Sequence, residues 1–375
     1  MLRLIRFELD KMLKNKFFLG IVISSLLVMA GMFFLSFRLD AQSDSRFSAP
    51  TYKRYEGDLT DDKVKEIVAG YIDDEEKRVE SHSFLVNPFY YPIVDNFVNT
   101  AEFYQQQSDS IEQKKKLPID QVKLRTLKDV GFAEFERPLK IGNYVNWTYF
   151  MELLGLFSIL GCIVVILVVS TVFVGDRAKN IDSLLLTTKF GRTKLIHSKI
   201  AASLIFGLGT FLSLQAVAWL GFLIFNKGFS GWDTSIQTNF NLGLFSFSHE
   251  LNQLQAVLLN LLFELCCLLV VVGVTLLISS VMKTPIIALS ASLGLLVLPL
   301  GLIKIFKTGF LYKLLALFPI NTSNTGTMLN VFGSKQLSLF GSFYQNLFIV
   351  TPLLILISVA IFVLIYQKMK HVRFA

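Results

Sequence analysis

Six apolar runs, each about as long as a bilayer is thick, constrain this 375-residue chain more than any other feature. A helix needs about 20 residues to cross the hydrocarbon core, and backbone groups in hydrocarbon must pair within their own segment. We therefore predict an all-α polytopic membrane protein with six transmembrane helices. The predicted spans lie at 17–37, 150–175, 201–225, 254–281, 285–304 and 345–367.

The composition supports this class. The chain is 53% hydrophobic and 17% charged, whereas a soluble domain averages about 25% charged residues. Residues 38–146 hold 16 Lys and Arg against 20 Asp and Glu, and the rest of the chain holds 20 against 8. A positive excess beside apolar runs favours membrane orientation over nucleic-acid binding. The lipid bilayer is therefore an expected partner, and a nucleic acid is not.

Lysine and arginine also predict which side each segment faces. The segments 1–16, 176–200 and 368–375 are basic, and so is the short turn at Lys283. With six spans, all of them fall on one side of the membrane. Because basic loops stay in the cytoplasm, we expect both termini there.

The segments expected on the outer side are 38–149, 226–253 and 305–344. The first is the only sizeable polar part of the chain. Apolar residues at helical spacing after Thr60, a plausible N-cap, predict one helix, and a second is predicted over 94–115. We expect a mostly helical extracytoplasmic domain, or a lid on the spans. The segment 305–344 is expected to be re-entrant or a loop.

The first 16 residues predict a short helix of their own. In MLRLIRFELDKMLKNKFF, apolar residues recur every three to four positions, at Leu2, Ile5, Leu9, Met12 and Leu13. This pattern is typical of an amphipathic helix that lies in the membrane interface, here the cytoplasmic one, as an elbow before the first span. The run at 17–37 is longer than a signal-peptide core and no A-x-A-like site follows it, so an uncleaved span is expected.

Motifs for chemistry are missing from the sequence. It has no P-loop, no H-E-x-x-H and no G-x-S-x-G. Cys162, Cys266 and Cys267 all lie inside apolar runs, which fits small buried side chains rather than a metal site. We therefore expect a non-catalytic chain with no catalytic residue, cofactor or metal of its own.

The segment 176–200 is unusual for a connection between two spans. It has an acidic residue just past a span, a leucine cluster, a basic patch and a lysine that enters the next span. A solvated loop gains nothing from exposed leucines, so we expect a partner to cover them. The candidate docking residues are Asp176, Leu184, Leu185, Leu186, Lys189, Arg192 and Lys194.

This order resembles the cytoplasmic signature of the type-2 exporter permeases of ABC transporters. The positions that carry the resemblance are Asp176, Ser183, Leu184, Leu185, Leu186, Phe190, Gly191, Arg192 and Lys199. Asn180-Ile181 departs from the usual Gly-Thr, and Lys189-Phe190-Gly191 replaces the usual proline turn. Ser198 precedes Lys199 where glycine is frequent. A large segment after the first span is similar to the subgroup that includes sodium-export and peptide-resistance permeases.

The resemblance implies a mechanism and a set of partners. A coupling helix in 176–200 would dock on a separate P-loop ATPase dimer, which would bind the ATP and magnesium. A second permease half, identical or paralogous, would complete the pathway. The location would be a bacterial cytoplasmic membrane, and the transport would be outward. An amphipathic or peptide-like cargo is favoured, as in antimicrobial peptide resistance.

Two polar residues inside the fourth span are candidates for a substrate path. Glu264 lies well within the run and Asn260 lies one turn earlier. Ionisable residues within spans mark functional sites by default, although a hydrogen-bonded structural carboxyl fits the sequence too. Other functions also stay open: an ion-exporting permease, a ligand-sensing or assembly subunit that recruits a cytoplasmic partner, and a polytopic membrane enzyme.

Overall fold

The computed structural model describes residues 1–14, 16–41, 50–82, 87, 89–113, 115–132, 135–179, 181, 191–333 and 341–371, with the backbone alone at 16, 17, 39–41, 191, 192 and 240. The chain is mostly helical and forms two compact units. Unit 1 comprises Met1–Phe34, Phe150–Phe225 and Val257–Ala375, and unit 2 comprises Leu35–Tyr149 and Asn226–Ala256.

The helices are α1 (Leu2–Leu13), α2 (Lys16–Phe33), α3 (Asp61–Glu80), α4 (Tyr91–Phe97), α5 (Thr100–Glu112), α6 (Leu127–Val130), α7 (Val145–Val169), α8 (Val174–Ala178), α9 (Ile196–Phe225), α10 (Gln253–Val281), α11 (Pro285–Ile305), α12 (Gly309–Ala316), α13 (Pro319–Thr322), α14 (Thr325–Gly333) and α15 (Phe343–Lys370). Wider π-helical turns are found at Phe34–Ala41 and Gly191–Leu195, and 3-10 turns at Ile119–Gln121, Ile236–Thr238 and Phe240–Leu242. Residues 50–55 are also helical. Two short strands, β1 (Gly57–Asp58) and β2 (Lys140–Ile141), pair antiparallel.

The six predicted spans are confirmed as helices long and apolar enough to cross a membrane. Within the described residues they are Phe18–Arg38, Val145–Ala178, Thr193–Phe225, Gln253–Val281, Pro285–Ile305 and Phe343–Lys370. The fold is therefore that of a helical membrane protein. The turn at Lys283 is short, as expected, because α11 begins directly at Pro285 with Thr284 as its N-cap.

The predicted segment 176–200 begins and ends within helices. Helix α8 ends at Ala178 and α9 begins at Ile196, so Asp176 and Lys199 are both helical. Hydropathy falls at the first charged residue, but backbone hydrogen bonding does not have to stop there. The charged residues at both ends of the segment thus belong to regular helices.

Unit 2 has an aromatic core. Thr60 caps α3 as predicted, since its hydroxyl accepts from the Lys63 amide at 3.2 Å. Tyr55 stacks on Phe89 with ring centroids 5.5 Å apart. Phe245, from the second chain segment of the unit, meets Phe97 edge-on at 5.7 Å. Large aromatic side chains supply most of the buried apolar area in such a core.

The segment 226–253, predicted as a separate loop, is joined to 38–149 by hydrogen bonds within unit 2. The Ser235 amide donates to the Lys140 carbonyl at 3.0 Å, and the Thr238 hydroxyl donates to that carbonyl at 2.9 Å. The Trp147 indole donates to the Ser230 carbonyl at 2.8 Å. Two segments separated by about 80 residues of chain therefore form one folded unit.

The single helix predicted over 94–115 is wrong: two helices, α4 and α5, are found there. The break falls at Val98, which forms a bridge with Leu124, while the Phe97 carbonyl accepts from the Arg125 amide at 2.7 Å. These bonds to a distant chain segment replace the helical bond at the break. The helical period alone could not indicate such a tertiary contact.

Within the described residues of 305–344, the chain forms short helices. Pro299 interrupts the hydrogen bonding of α11, because proline has no amide hydrogen. Asn321 of α13 donates from its side chain to the Pro299 carbonyl at 3.3 Å and to the Leu315 carbonyl at 2.8 Å. The segment is therefore tied back onto α11.

A substitution at Gly70 tests the packing of unit 2. A Cβ placed there would lie 2.1 Å from the Tyr55 hydroxyl, so Gly70→Ala must displace a buried ring. We expect this overpacking to lower the free energy of unfolding by about 1–3 kcal/mol, measured by denaturant unfolding of the full chain in detergent. Gly294→Ala in α11 has nothing within 4 Å of its new methyl and serves as the matched control. Equal stability of both variants would contradict the packing.

Candidate functional site

Helix α1 packs one face that holds Glu8 together with Ile5, Leu9 and Met12 of the predicted apolar stripe. Glu8 and Met12 are buried, whereas Leu2 and Leu13 are exposed. The helix packs on α9, so its orientation is set by that contact. The helix itself is confirmed, and its place in a membrane interface stays a prediction.

Four charged side chains meet where α1, α8 and α9 come together. The Lys11 ammonium lies 2.5 Å from Asp176 Oδ1. Lys199 forms an ion pair with Asp176 Oδ2 and also donates to the Val172 carbonyl at 2.7 Å. Glu8 Oε2 lies 3.7 Å from the Lys199 ammonium and 3.8 Å from that of Lys11. We call these residues, Glu8, Lys11, Asp176 and Lys199, the charge clamp.

Three of the four residues of the charge clamp are buried. Glu8, Asp176 and Lys199 are each at most 5% exposed, whereas the Lys11 side chain is 41% exposed. Each buried charge has an oppositely charged partner within the cluster, which is the condition under which buried ion pairs are tolerated. Removal of one partner from such a pair costs about 3–5 kcal/mol, since the other charge is left uncompensated.

The charge clamp holds together the two ends of the predicted docking segment. Asp176 is the first residue of this segment and Lys199 lies one residue before its end, 23 residues further along the chain. The intervening chain is thus anchored at both ends to the same buried point, and α1 braces that point from the side. Through these bonds, a displacement of the segment would be transmitted to α7, α8 and α9.

A second set of contacts attaches the start of the segment to the end of α10. The Arg177 guanidinium donates to the Met282 carbonyl at 2.7 Å and to the Ser280 carbonyl at 3.2 Å. The Ser279 hydroxyl accepts from the Phe173 amide at 3.1 Å. Arg177 thereby satisfies carbonyls that a helix end leaves without partners. The segment is therefore coupled to the fourth span as well.

The other predicted docking residues are only partly visible. Leu184, Leu185, Leu186 and Lys189 lie outside the described residues, and Arg192 is described by its backbone alone. Lys194 is exposed in the turn that leads into α9. Docking through these residues stays a prediction.

The two candidate path residues lie inside unit 1. Asn260 and Glu264 are 3% and 2% exposed. The Asn260 amide donates to the Ser323 carbonyl at 3.0 Å, in the turn between α13 and α14. Neither residue contacts the charge clamp through any described hydrogen bond or ion pair. The site residues predicted from the sequence therefore do not form one site: Asp176 belongs to the charge clamp, and Asn260 and Glu264 lie elsewhere in unit 1.

Unit 2 carries a polar cavity of about 670 Å³. Its charged lining residues are Asp58, Glu136, Arg137, Lys140, Asp233 and Glu250, and Trp232 adds an aromatic wall. The Asp233 carboxylate beside Lys140 holds the pKa of that ammonium above its usual range. Among the described residues, no group of three or more His, Cys, Asp and Glu side chains could hold a metal ion.

Comparison of the chain with family models, with curated proteins and with solved structures finds no match.

Sequence reasoning missed Glu8 and Lys11. A signal was present, because Glu8 lies one turn from Ile5 and from Met12 on the face that was interpreted as apolar. A lone acid on such a face indicates a buried cationic partner. That partner, Lys199, lies 191 residues further along the chain, and no local pattern points to it.

Substitution of Asp176 tests the charge clamp. Asp176→Asn leaves the buried Lys199 without its nearest acid, so we expect a loss of about 3–5 kcal/mol in the free energy of unfolding, measured in detergent with denaturant. As a control, Asp10→Asn breaks an exposed ion pair at the end of α1, with Lys14 at 3.9 Å. It should lower the free energy of unfolding by at most about 1 kcal/mol. If both substitutions lowered the free energy of unfolding by the same amount, the buried pair would be no more important for stability than the exposed one, contrary to this expectation.

Proposed function

We propose that this protein is the transmembrane permease subunit of an ATP-driven ABC exporter. It is non-catalytic, and a separate P-loop ATPase dimer, which binds ATP and magnesium, docks on the segment between Asp176 and Lys199. Cargo moves outward across a bacterial cytoplasmic membrane. The observation that carries the proposal is the charge clamp, which makes a segment between two spans into a mechanically anchored element.

A docking segment transmits motion only if its ends do not slip. The Asp176–Lys199 pair joins those ends, and the contacts of α1 hold the pair in place. Arg177 extends the attachment to α10. A movement imposed on the segment would therefore turn several spans together, through the connected contacts that coupling between distant sites can use.

The two chain segments that form unit 2 support the proposed orientation. Residues 38–149 and 226–253 flank the second and third spans, and two crossings return the chain to the same side. Their packing into one unit agrees with that arrangement. One set of six spans provides only part of a pathway wall, so we propose a second permease half, a copy or a paralogue. The favoured cargo is amphipathic or peptide-like.

A ligand-sensing subunit is the second candidate, and the polar cavity of unit 2 favours it. Its mixed charges and Trp232 could hold a ligand without any transport. A docking segment would serve that role too. Cargo movement in sealed vesicles that contain the chain and its ATPase separates the two functions, since a sensor moves nothing.

Cysteine labelling tests the proposed sides. The native Cys162, Cys266 and Cys267 are buried, so their reaction with a membrane-impermeant maleimide is expected to be low. Lys65→Cys in unit 2 should be labelled in intact cells, and Lys194→Cys only after permeabilisation. The reverse pattern would overturn the orientation, and the unsubstituted chain provides the background.

Affinity purification of the tagged full chain tests docking. We expect a P-loop ATPase to co-purify, identified by mass spectrometry, and Leu185→Asp or Arg192→Glu to reduce its amount at least tenfold. Lys283→Glu reverses a charge on the same proposed side but outside the segment, so it should retain the ATPase. If no ATPase co-purifies, or if all three variants behave like the unsubstituted chain, the proposal fails.

A further inference from the structure

In unit 1, three buried side-chain amide and carboxylate oxygens have no hydrogen-bond partner among the described residues. They are Gln215 Oε1, Asn260 Oδ1 and Glu264 Oε1. Each residue is at most 3% exposed. Buried polar atoms are nearly always paired, so three unpaired acceptors in one unit require an explanation.

In the two amides, the nitrogen has a hydrogen-bond partner and the oxygen does not. The Gln215 amide nitrogen donates to the Ser158 hydroxyl at 2.9 Å, and the Asn260 amide nitrogen donates to the Ser323 carbonyl at 3.0 Å. Both amide nitrogens therefore donate to a described partner, while both amide oxygens have no partner among the described residues. A group that supplies positive charge or a proton would complete them.

The residues that carry these acceptors, or their hydrogen-bond partners, lie near one face of α7. Gly155, Ser158 and Cys162 recur there at helical spacing. Ser158 contacts Gln215, a Cβ at Gly155 would lie 3.0 Å from the Ser323 carbonyl oxygen, and Cys162 lies within electrostatic reach of Glu264. Since a helix rises about 1.5 Å per residue, these contacts fall within about 10 Å along the span.

Glu264 lacks the compensation that Asp176 has. No lysine, arginine or histidine of the described chain forms an ion pair with it, and its titratable neighbours are the thiols of Cys162 and Cys267. Neither thiol supplies a positive charge. An isolated carboxylate is very unfavourable in an apolar interior, so a bound cation would stabilise it strongly.

We propose that Glu264, together with Asn260 and Gln215, forms a binding site for a small monovalent cation, either a proton or an alkali ion. One carboxylate matches one positive charge, whereas divalent sites usually combine several carboxylates. The Thr325 hydroxyl at the start of α14 also lacks a partner and adds an oxygen next to the Ser323 turn. The site does not depend on the permease function; if that function holds, a cation takes part in the transport cycle.

Labelling with dicyclohexylcarbodiimide, which modifies protonated carboxyls in apolar surroundings, tests the site directly. The purified full chain in liposomes is labelled across a pH series in choline chloride, and again with NaCl or KCl at the same ionic strength. Mass spectrometry quantifies the peptide that contains Glu264. We expect labelling to fall severalfold as the pH rises. A further severalfold fall in NaCl or KCl would identify an alkali ion as the occupant, and dependence on pH alone would identify the proton.

Two controls keep this experiment decisive. Glu152 lies exposed in α7, so its labelling should not respond to sodium or potassium. Glu264→Gln should abolish labelling of its peptide. Asn260→Ala, if it elutes as a monodisperse species, should need severalfold more salt for the same protection when the occupant is an alkali ion. When the occupant is the proton, its labelling should fall at a lower pH than that of the unsubstituted chain.

Thermal unfolding provides an independent readout, because an occupant that binds only the folded chain raises Tm. The Tm of the unsubstituted chain should rise with the cation identified by labelling, and the Tm of Glu264→Gln should not. Two results together would overturn the site. The first is labelling of Glu264 that is absent, or that is the same at every pH and in all three salts. The second is an equal Tm response of the unsubstituted chain and Glu264→Gln. Neither assay uses an ATPase or a cargo, so its failure is separate from failure of the permease proposal.

Discussion

The ion pair between Asp176 and Lys199 is the interaction on which the organisation of unit 1 depends. It brings together the end of α8 and the start of α9, and it gives Lys11 and Glu8 of α1 a place to bind. A charged pair this well buried is not explained by stability alone, because well-packed apolar residues would often do as well. It does fix one arrangement of three helices, which suits an element that must carry force.

The two buried acids of unit 1 have opposite surroundings. Asp176 has two lysines, whereas no basic residue of the described chain forms an ion pair with Glu264. The first arrangement is complete within the chain and favours a fixed structure. The second is incomplete, which favours a site whose occupant comes and goes. In the proposed function, the fixed site would transmit motion and the incomplete site would bind an ion within the bundle.

Local patterns predicted the parts of the fold that are decided locally. Apolar length predicted six spans, and Thr60 predicted the start of α3. The break at Val98 was missed because it depends on Leu124, and the role of Glu8 was missed because Lys199 lies far away in the chain. Asn260 and Glu264 could be predicted as polar residues within a span. Their vacant acceptors depend on the positions of α7 and the Ser323 turn, which no local pattern contains.

The central claim is that α1 and both ends of the docking segment move as one body. Spin labels at Lys14→Cys and Thr193→Cys, at exposed positions just after α1 and in the turn before α9, report this by double electron–electron resonance in the proposed complex with an ATPase. The account predicts one narrow distance distribution that stays the same with and without ATP, and that broadens when Asp176→Asn is added. A distribution that is already broad in the chain with an intact charge clamp, or that shifts with ATP, would contradict it.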